Sequence, residues 1–448
     1  TDPSVPSSIT FLQLAVGDVP QPTPFTGSNP VNDLDTVQSQ IEAADEAAAL
    51  AGVSPFTDPD TTSTPTALID ADTLMAWEDL VNAPLDGNER VVIVDITSEA
   101  GYAAGHIPGA VYWSSGDRAE NRFEGPIDGY NMVLGAEKFQ SLLDVAGIDE
   151  NTTIVLTTSS SVSYYPSRLY FTLRYWGVPK NRLKVLNGHN AAWPAAMLTT
   201  DVPTIADAGS LTVAELMTNT QVRASLSEMM DAARDRRGTP VDFRGDSTAA
   251  GSTGGAVFNG NINNGRYMDR YPYFDDEGLW LSRGEMISLM AEYDIVVSDF
   301  STDESFSYPA LPYCTKGNLG AYGYFLYDAI LNVDTMLYDG SWSQWGALSD
   351  NVDNGGELSA SENSGGYALE AWAVDNATYM EEVNYGLDAL GDLDAFDTDP
   401  TALTLDPADT AANQIENIDF DYQIQAPTSP DSETAPPTEG DGDLGGGC

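Results

Sequence analysis

The chain has 448 residues, of which 42% are hydrophobic and 10% aromatic, and this composition excludes a wholly disordered acidic protein. Its 69 acidic residues against 18 basic ones give a formal net charge of -51. A field of that sign repels nucleic acid and anionic membrane surfaces, and we expect no nucleic-acid partner. It favours cations, but no Asp-rich stretch has the ligand spacing of a calcium loop. We expect no cofactor and leave a loosely bound calcium ion open.

The cysteines and the chain end bear on redox chemistry and location. Cys314 and Cys448 are the only cysteines, which excludes a disulfide framework, and with two histidines they exclude an ordinary Cys/His zinc site. No apolar run approaches the ~18 residues of a membrane span. The acidic tail that stops at Cys448 resembles bacterial surface proteins whose C-terminal sorting signal is cut beside a cysteine. We therefore expect an extracellular or cell-surface protein and leave a lipid anchor at Cys448 open. The alternatives are an arbitrary chain end and the cytoplasm of a salt-accumulating cell.

The composition and the pattern of apolar residues change near Pro65. Residues 1–66 are rich in Pro, Thr, Ser and Asp and hold one helical run, 36–50, which predicts an extension rather than a domain. Short apolar strands then alternate with amphipathic helices. The predicted strands are 91–95, 153–156 and 183–186, and the predicted helices are 136–146 and 167–176. This alternation predicts an α/β fold, a parallel sheet with helices on both faces.

The same order recurs in the second half of the chain. The predicted strands there are 240–243, 294–298 and 335–338, and the predicted helices are 282–293 and 319–331. A repeated order of elements predicts a duplicated domain. The predicted organisation is an N-terminal extension (1–66), domain 1 (67–205), domain 2 (206–350), and an acidic C-terminal extension and tail (351–448).

Two motifs in these segments are specific. Asp95 at a strand end is followed by Tyr102 and by Gly105-His106-Ile107-Pro108-Gly109-Ala110, which resembles the N-terminal signature of rhodanese domains. The second half closes with Tyr338-Asp339-Gly340-Ser341-Trp342-Ser343-Gln344-Trp345-Gly346, which resembles the C-terminal signature of tandem thiosulfate sulfurtransferases. The resemblance covers roughly residues 68–350. It implies two rhodanese-like domains, each an α/β unit.

The active loop of this family follows the central strand and precedes a helix, a place that Tyr313-Cys314-Thr315-Lys316-Gly317-Asn318-Leu319 takes in the second half. The backbone N–H groups of Thr315, Gly317, Asn318 and Leu319 would form a nest around Cys314, which stabilises a thiolate or persulfide anion. Lys316 adds a full positive charge. The resemblance implies that thiosulfate gives its outer sulfur to Cys314 and sulfite leaves. A thiol or cyanide-like acceptor then takes the sulfur from the persulfide.

The loop also separates related reaction classes. Related phosphatases have a longer loop closed by an arginine, whereas Gly320 follows a short loop here, which argues against phosphatase chemistry. A lysine in the loop resembles thiosulfate users, because mercaptopyruvate users carry small neutral residues there. In the first half the equivalent loop, 157–163, has no cysteine, and Thr158 aligns with the catalytic position. Domain 1 is therefore predicted to be non-catalytic and to cover one side of the cleft.

Domain 2 departs from the family in ways that remove positive charge. Asp242 and Arg244 remain, but residues 246–248 hold no arginine where thiosulfate users place a second one. Thr315 stands where those enzymes often carry arginine, and Leu319 replaces a hydroxyl residue. The residues that could bind the substrate instead are Asp242, Arg244, Arg266 and Arg270.

Two functions are compatible with these patterns. The first is an extracellular or cell-surface sulfurtransferase that moves sulfur from a small anionic donor through Cys314, assisted by Lys316. The alternative is a catalytically weak or inactive rhodanese-fold protein of the cell surface, such as a subunit of a surface layer or filament. Extensions of this length could dock on neighbouring copies, so a homo-oligomer or surface assembly stays open.

Overall fold

The computed structural model describes residues 67–84, 90–124, 127–160, 162–205, 209, 211–226, 228–229, 232, 238–244, 261–262, 265–269, 272–293, 295, 309–333, 335–348, 373–374 and 414–425. Several predictions lie outside these residues. They are the helix at 36–50, the end of the acidic tail with Cys448, Arg270 and all of strand 294–298 except Ile295.

The first half is built on one five-stranded parallel sheet. The strands of this half are β1 (Leu68–Ile69), β2 (Arg90–Thr97), β3 (Val111–Ser114), β4 (Glu120–Glu124), β5 (Ile127–Met132), β6 (Thr152–Thr157) and β7 (Leu183–Leu186). The sheet order is β1-β7-β6-β2-β3, and each neighbouring pair is parallel. β2 and β6 are buried along their whole length, as expected for a sheet covered on both faces. The predicted α/β fold is confirmed here, and β4 and β5 form a separate antiparallel hairpin.

The helices of the first half lie where strands end. They are α1 (Ala71–Ala76), α2 (Glu99–Ala104), α3 (Ala136–Ala146), α4 (Tyr165–Tyr175) and α5 (His189–Ala192). α3 has the predicted bounds because Gly147 takes the left-handed conformation, φ 62°, that ends a helix. His106, in the turn after α2, is buried and stacks on Tyr102 with ring centroids 3.7 Å apart. The rhodanese-like motif therefore serves as a structural turn in this half.

The second half repeats the arrangement with shorter elements. Its elements are β8 (Thr239–Asp242), β9 (Asn261–Ile262), β10 (Arg266–Tyr267), α6 (Arg283–Glu292), β11 (Ala310–Tyr313), α7 (Gly320–Phe325), α8 (Ser341–Leu348), β12 (Ala373–Val374) and α9 (Gln414–Gln425). β10, β8 and β11 form a parallel sheet in that order, whereas β9 and β12 pair antiparallel. α7 continues directly into a π-helix, Leu326–Leu331, so the predicted helix 319–331 is present but changes its winding.

The predicted strand 335–338 is an extended segment held by isolated bridges rather than a regular strand. Thr335 bridges Ala310 and Leu337 bridges Arg223, both in parallel. Adding these bridges to the sheet gives the order β10, β8, β11, 335–337, 223, which has the same chain connectivity as β3-β2-β6-β7-β1. The two halves therefore share a strand order, and this agrees with the repeated order of elements in the sequence.

Helix α4 joins the two halves through one continuous core. Residues 166–175 are all buried, because one face of α4 covers the first sheet and the other contacts α7. The second contact is aromatic: Tyr170 packs edge-on against Phe325 at 5.0 Å and Phe171 against Tyr324 at 5.3 Å. The amphipathic pattern predicted a helix with one solvated face, whereas α4 is buried on every side because the second half covers that face.

The turn after α4 gives a test of this packing. Gly177 has φ 90°, and a Cβ there would lie 2.0 Å from the carbonyl oxygen of Met217. We expect Gly177→Ala to lower the free energy of unfolding by on the order of 3 kcal/mol, measured by urea denaturation, because both the backbone strain and the clash oppose it. Gly284→Ala is the matched control, since no atom lies within 4 Å of its added Cβ. Equal stability of the two variants would contradict the described turn.

The C-terminal helix α9 packs on the first half. Asp419, 1% exposed, accepts hydrogen bonds from Arg122 at 2.8 and 2.6 Å and from Tyr175 Oη at 2.6 Å. The side chain of Gln423 donates to the carbonyls of Val213 and Leu216. Helix α9 of the C-terminal extension thus packs on the body, and the sequence did not predict this helix.

Candidate active site

Cys314 lies at the carboxyl end of β11, before α7, and its side chain is 2% exposed. Its backbone N–H donates to Ser341 Oγ at 3.1 Å, and its carbonyl accepts from Trp342 N at 2.9 Å. Ser341 has a φ of 54°, which is strained for a residue other than glycine. The first two residues of α8, Ser341 and Trp342, therefore hold the backbone of Cys314 in place. Both belong to the C-terminal sequence signature.

The loop after Cys314 is tight and close to that same segment. Ser343 N donates to the carbonyl of Thr315 at 2.9 Å. Gly317 has φ 73°, and a Cβ there would lie 2.6 Å from the carbonyl oxygen of Asp339, so only glycine fits. Lys316 is exposed, whereas Thr315, Asn318 and Leu319 are half-buried. The predicted loop residues are thus brought together at one end of β11.

The strand registers place Thr158 and Cys314 at corresponding positions. In the second sheet Asp242 pairs with Tyr313, and in the first sheet Asp95 pairs with Thr157. The next residue along each strand is Cys314 in the second half and Thr158 in the first. Thr158 is buried. The carboxyl group of Asp95 accepts a hydrogen bond from Asn190 Nδ2 at 2.7 Å, and burial raises the pKa of Asp95 to about 6.

The predicted substrate-binding residues lie in different environments. Arg244 is 1% exposed, donates to Asp242 through Nε at 2.9 Å and Nη2 at 2.6 Å, and stacks over Trp342 at 4.5 Å. The charge of Arg244 is therefore balanced by Asp242 within the core. Arg266 lies in β10, separated from β11 by β8, and donates to the carbonyl of Gly265.

Two arginines of the first half reach the loop, and sequence reasoning missed both. Arg168, in α4, is fully buried; its Nη1 donates to the carbonyl of Gly317 at 3.3 Å and its Nη2 lies 3.5 Å from Asp339. Burial lowers the pKa of Arg168 to about 10, while the charges of Asp339 and of the Cys314 thiolate raise it. Arg168 therefore stays protonated at neutral pH, with its charge balanced by Asp339, and it supports the loop through its hydrogen bond to Gly317.

Arg118 reaches the loop from its other side. It follows β3, its Nε donates to Asn318 Oδ1 at 3.3 Å, and its guanidinium lies over the rings of Tyr165 and Tyr164 at 5.3 and 5.7 Å. The only sequence signal for Arg118 and Arg168 is the scarcity of basic residues, which makes each of them informative. No spacing rule links either one to residues so far along the chain.

The described residues also give two negative findings. They contain no group of His, Cys, Asp and Glu side chains that could hold a metal ion. None of their helices is long and apolar enough to cross a membrane.

Comparison with known protein families gives a match in the first half of the chain. Residues 78–196 match the family model of the rhodanese-like domain. The rhodanese family is thereby supported for the half that carries Asp95 and His106, and the match ends before Cys314. A Haloferax volcanii protein named "Putative thiosulfate sulfurtransferase" is 26% identical over 270 residues, 58% of this chain and 86% of its own. The thiosulfate sulfurtransferase of Corynebacterium glutamicum is 26% identical over 272 residues, 59% of this chain and 82% of its own.

Several solved structures are also similar, and one of them serves as an example. An anaerobic ergothioneine biosynthesis enzyme from Chlorobium limicola is 19% identical, with a TM-score of 0.49, and the match covers 62% of this chain and 68% of that chain. A similarity at that level indicates no substrate.

Proposed function

We propose that this protein is a sulfurtransferase with two rhodanese-like domains, which carries sulfur as a persulfide on Cys314. The observation that carries the proposal is the place of Cys314, at the end of β11 in a glycine-containing loop that Ser341, Arg168 and Arg118 hold from three sides. The alignments to sulfurtransferases span 270 and 272 residues, longer than the first half of this chain, and this also supports the proposal.

The donor we propose is thiosulfate or a related compound. The Cys314 thiolate attacks the outer sulfur, a new S–S bond forms, and the old S–S bond breaks with its electron pair leaving on sulfite. In the second step the nucleophilic acceptor, a thiol or cyanide, attacks the outer persulfide sulfur and the thiolate of Cys314 is released. The transferred sulfur needs no cofactor, because the persulfide itself carries it.

The first half supports this chemistry without sharing it. Thr158 lies at the position that corresponds to Cys314, and a hydroxyl group cannot store sulfur as a persulfide. Domain 1 instead contributes the positive charges of Arg168 and Arg118 at the loop of domain 2. The location we propose is extracellular or at the cell surface. The net charge of -51 supports it, because such a charge keeps a protein soluble where salt screens the repulsion between its acidic side chains. Fractionation of the source cells would test the location.

Cys314→Ser is expected to abolish sulfur transfer. With thiosulfate as donor and cyanide as acceptor, thiocyanate formation should fall to the rate of the enzyme-free control, because serine forms no persulfide. Intact mass spectrometry of the wild type after exposure to thiosulfate should show one added sulfur atom on Cys314. Thr158→Ser is the matched control and should retain the wild-type rate. Comparable thiocyanate formation by Cys314→Ser would disprove the proposal, and an inactive wild type would favour the structural alternative.

A further inference from the structure

Negative charges at this site and over the whole protein oppose the binding of an anionic donor. Thiosulfate is a dianion, Cys314 reacts as a thiolate, and the protein carries a net charge of -51. Two arginines near the loop are already balanced: Arg168 lies 3.5 Å from Asp339, and Arg244 forms a 2.6 Å ion pair with Asp242. A buried arginine that is paired in this way offers little net charge to a ligand. Lys316, the cation of the loop itself, is exposed and supplies one positive charge against a dianionic donor and a thiolate. A further cation at the loop would therefore favour binding of the donor.

Arg118 differs from these arginines in its partners. No carboxylate lies within salt-bridge distance of it among the described residues, although the chain holds 69 acidic side chains. It is held instead by neutral groups: Asn318 Oδ1, the carbonyl of Ser115, and the faces of Tyr164 and Tyr165. A guanidinium that is oriented but not neutralised keeps its full charge for an anion.

Arg118 contacts the Cys314 loop directly. Asn318, which accepts its hydrogen bond, belongs to that loop. Tyr164 lies under the Arg118 guanidinium at 5.7 Å. Burial raises the pKa of Tyr164, the charge of Arg118 lowers it, and the charge of Cys314 raises it. Tyr164 also contacts Tyr322 of α7 edge-on at 6.3 Å, so the first half lines this side of the loop.

We propose that Arg118 binds the oxyanion end of the sulfur donor and determines specificity for donors with a sulfonate-like group next to the transferred sulfur. The first domain would thereby supply the cation that the loop itself lacks at Thr315. Arg118 would hold the SO₃ end of thiosulfate while the Cys314 thiolate attacks the outer sulfur, and it would stabilise the sulfite that leaves. This inference rests on the proposed function of Cys314, whereas its first test does not require turnover.

The first test measures binding without chemistry. Thiosulfate is titrated by calorimetry at low ionic strength into Cys314→Ser, into the double variant with Arg118→Gln, and into the double variant with Arg283→Gln. Arg283 is exposed in α6, so its loss changes the net charge equally without touching the loop. We expect Arg118→Gln to weaken binding about 10-fold or more, the size of one lost charge-assisted interaction. The Arg283→Gln control should bind as the parent does.

The second test separates binding from transfer in the active protein. Arg118→Gln should raise the KM for thiosulfate about 10-fold or more, and it should slow the reaction of preformed Cys314 persulfide with cyanide by a much smaller factor, because cyanide has no sulfonate-like group. Arg118→Lys keeps the charge but loses the planar fork, and should give an intermediate KM with wild-type circular dichroism. Equal behaviour of Arg118→Gln and Arg283→Gln, or no thiosulfate binding by Cys314→Ser, would overturn the inference. Arg118-dependent binding in a protein that never forms thiocyanate would support it and refute the proposed function alone.

Discussion

Replacing Arg223 by methionine should lower the free energy of unfolding by about 3 to 5 kcal/mol. The Arg223 side chain is fully buried; its Nη1 lies 2.8 Å from Glu124 and 2.7 Å from Glu416, and its Nε lies 2.9 Å from Asp339. These carboxylates come from β4, from the segment before α8, and from α9. Without Arg223 they would remain buried close together with no shared counter-charge, and this costs far more than the ion pairs themselves contribute.

Urea denaturation followed by tryptophan fluorescence would measure this effect. Arg283→Met is the control, since an exposed arginine should change the free energy of unfolding by no more than about 0.5 kcal/mol. A similar midpoint and slope for Arg223→Met and the wild type would show that the cluster is not the anchor described. Because Asp339 also contacts Arg168, which donates to the carbonyl of Gly317, the remaining folded protein should transfer sulfur more slowly.

Raising the pH should destabilise the protein through Glu228. This side chain is buried and accepts hydrogen bonds from Ser225 N at 2.7 Å and Ser225 Oγ at 2.9 Å. Burial raises the pKa of Glu228 to about 8, opposed by the hydrogen bonds from Ser225, while the charge of Glu416 raises it further. The folded protein thus keeps the carboxyl group protonated at a pH where the unfolded chain releases the proton. The resulting stability is complete below pH ~4.5 and is lost as the pH rises through about 8, on the order of 4 kcal/mol in total.

Glu228→Gln should remove this dependence on pH. Glutamine keeps an acceptor for Ser225 and has no proton to lose, so the variant should gain stability relative to the wild type as the pH rises from 6 toward 9. Glu285→Gln is a matched control, because Glu285 forms the same capping arrangement with Ser282 on an exposed helix end. Thermal or urea unfolding across this pH range would measure the difference. Parallel pH profiles for Glu228→Gln and the wild type would rule out Glu228 as the group responsible.

Much of the fold was predictable because its determinants are local. The apolar runs at 91–95, 153–156 and 183–186 form β2, β6 and β7, and Gly147 ends α3 where the sequence indicated. Strand 335–338 was predicted as regular, and the structure holds it by isolated bridges, because Thr335 and Leu337 find their partners on different neighbouring segments. Helix α9 escaped prediction because its acidic residues Glu416 and Asp419 are buried against arginines. A hydrophobic pattern cannot indicate such a buried face.

The candidate site divides in the same way. The sequence by itself determined the loop from Cys314 to Leu319, because a cysteine at a strand end followed by Gly317 and a helix is a local arrangement. It also predicted that Thr158 takes the corresponding place in the first half, a prediction with which the strand registers agree. Only the tertiary structure decided which cations serve the loop: Arg244 is balanced by Asp242, whereas Arg168 and Arg118 arrive from the other half. Neighbouring residues determine the backbone conformation and the pattern of buried positions along a strand or helix. The pairing of charges depends instead on which distant segments the packed core brings within a few ångströms of one another.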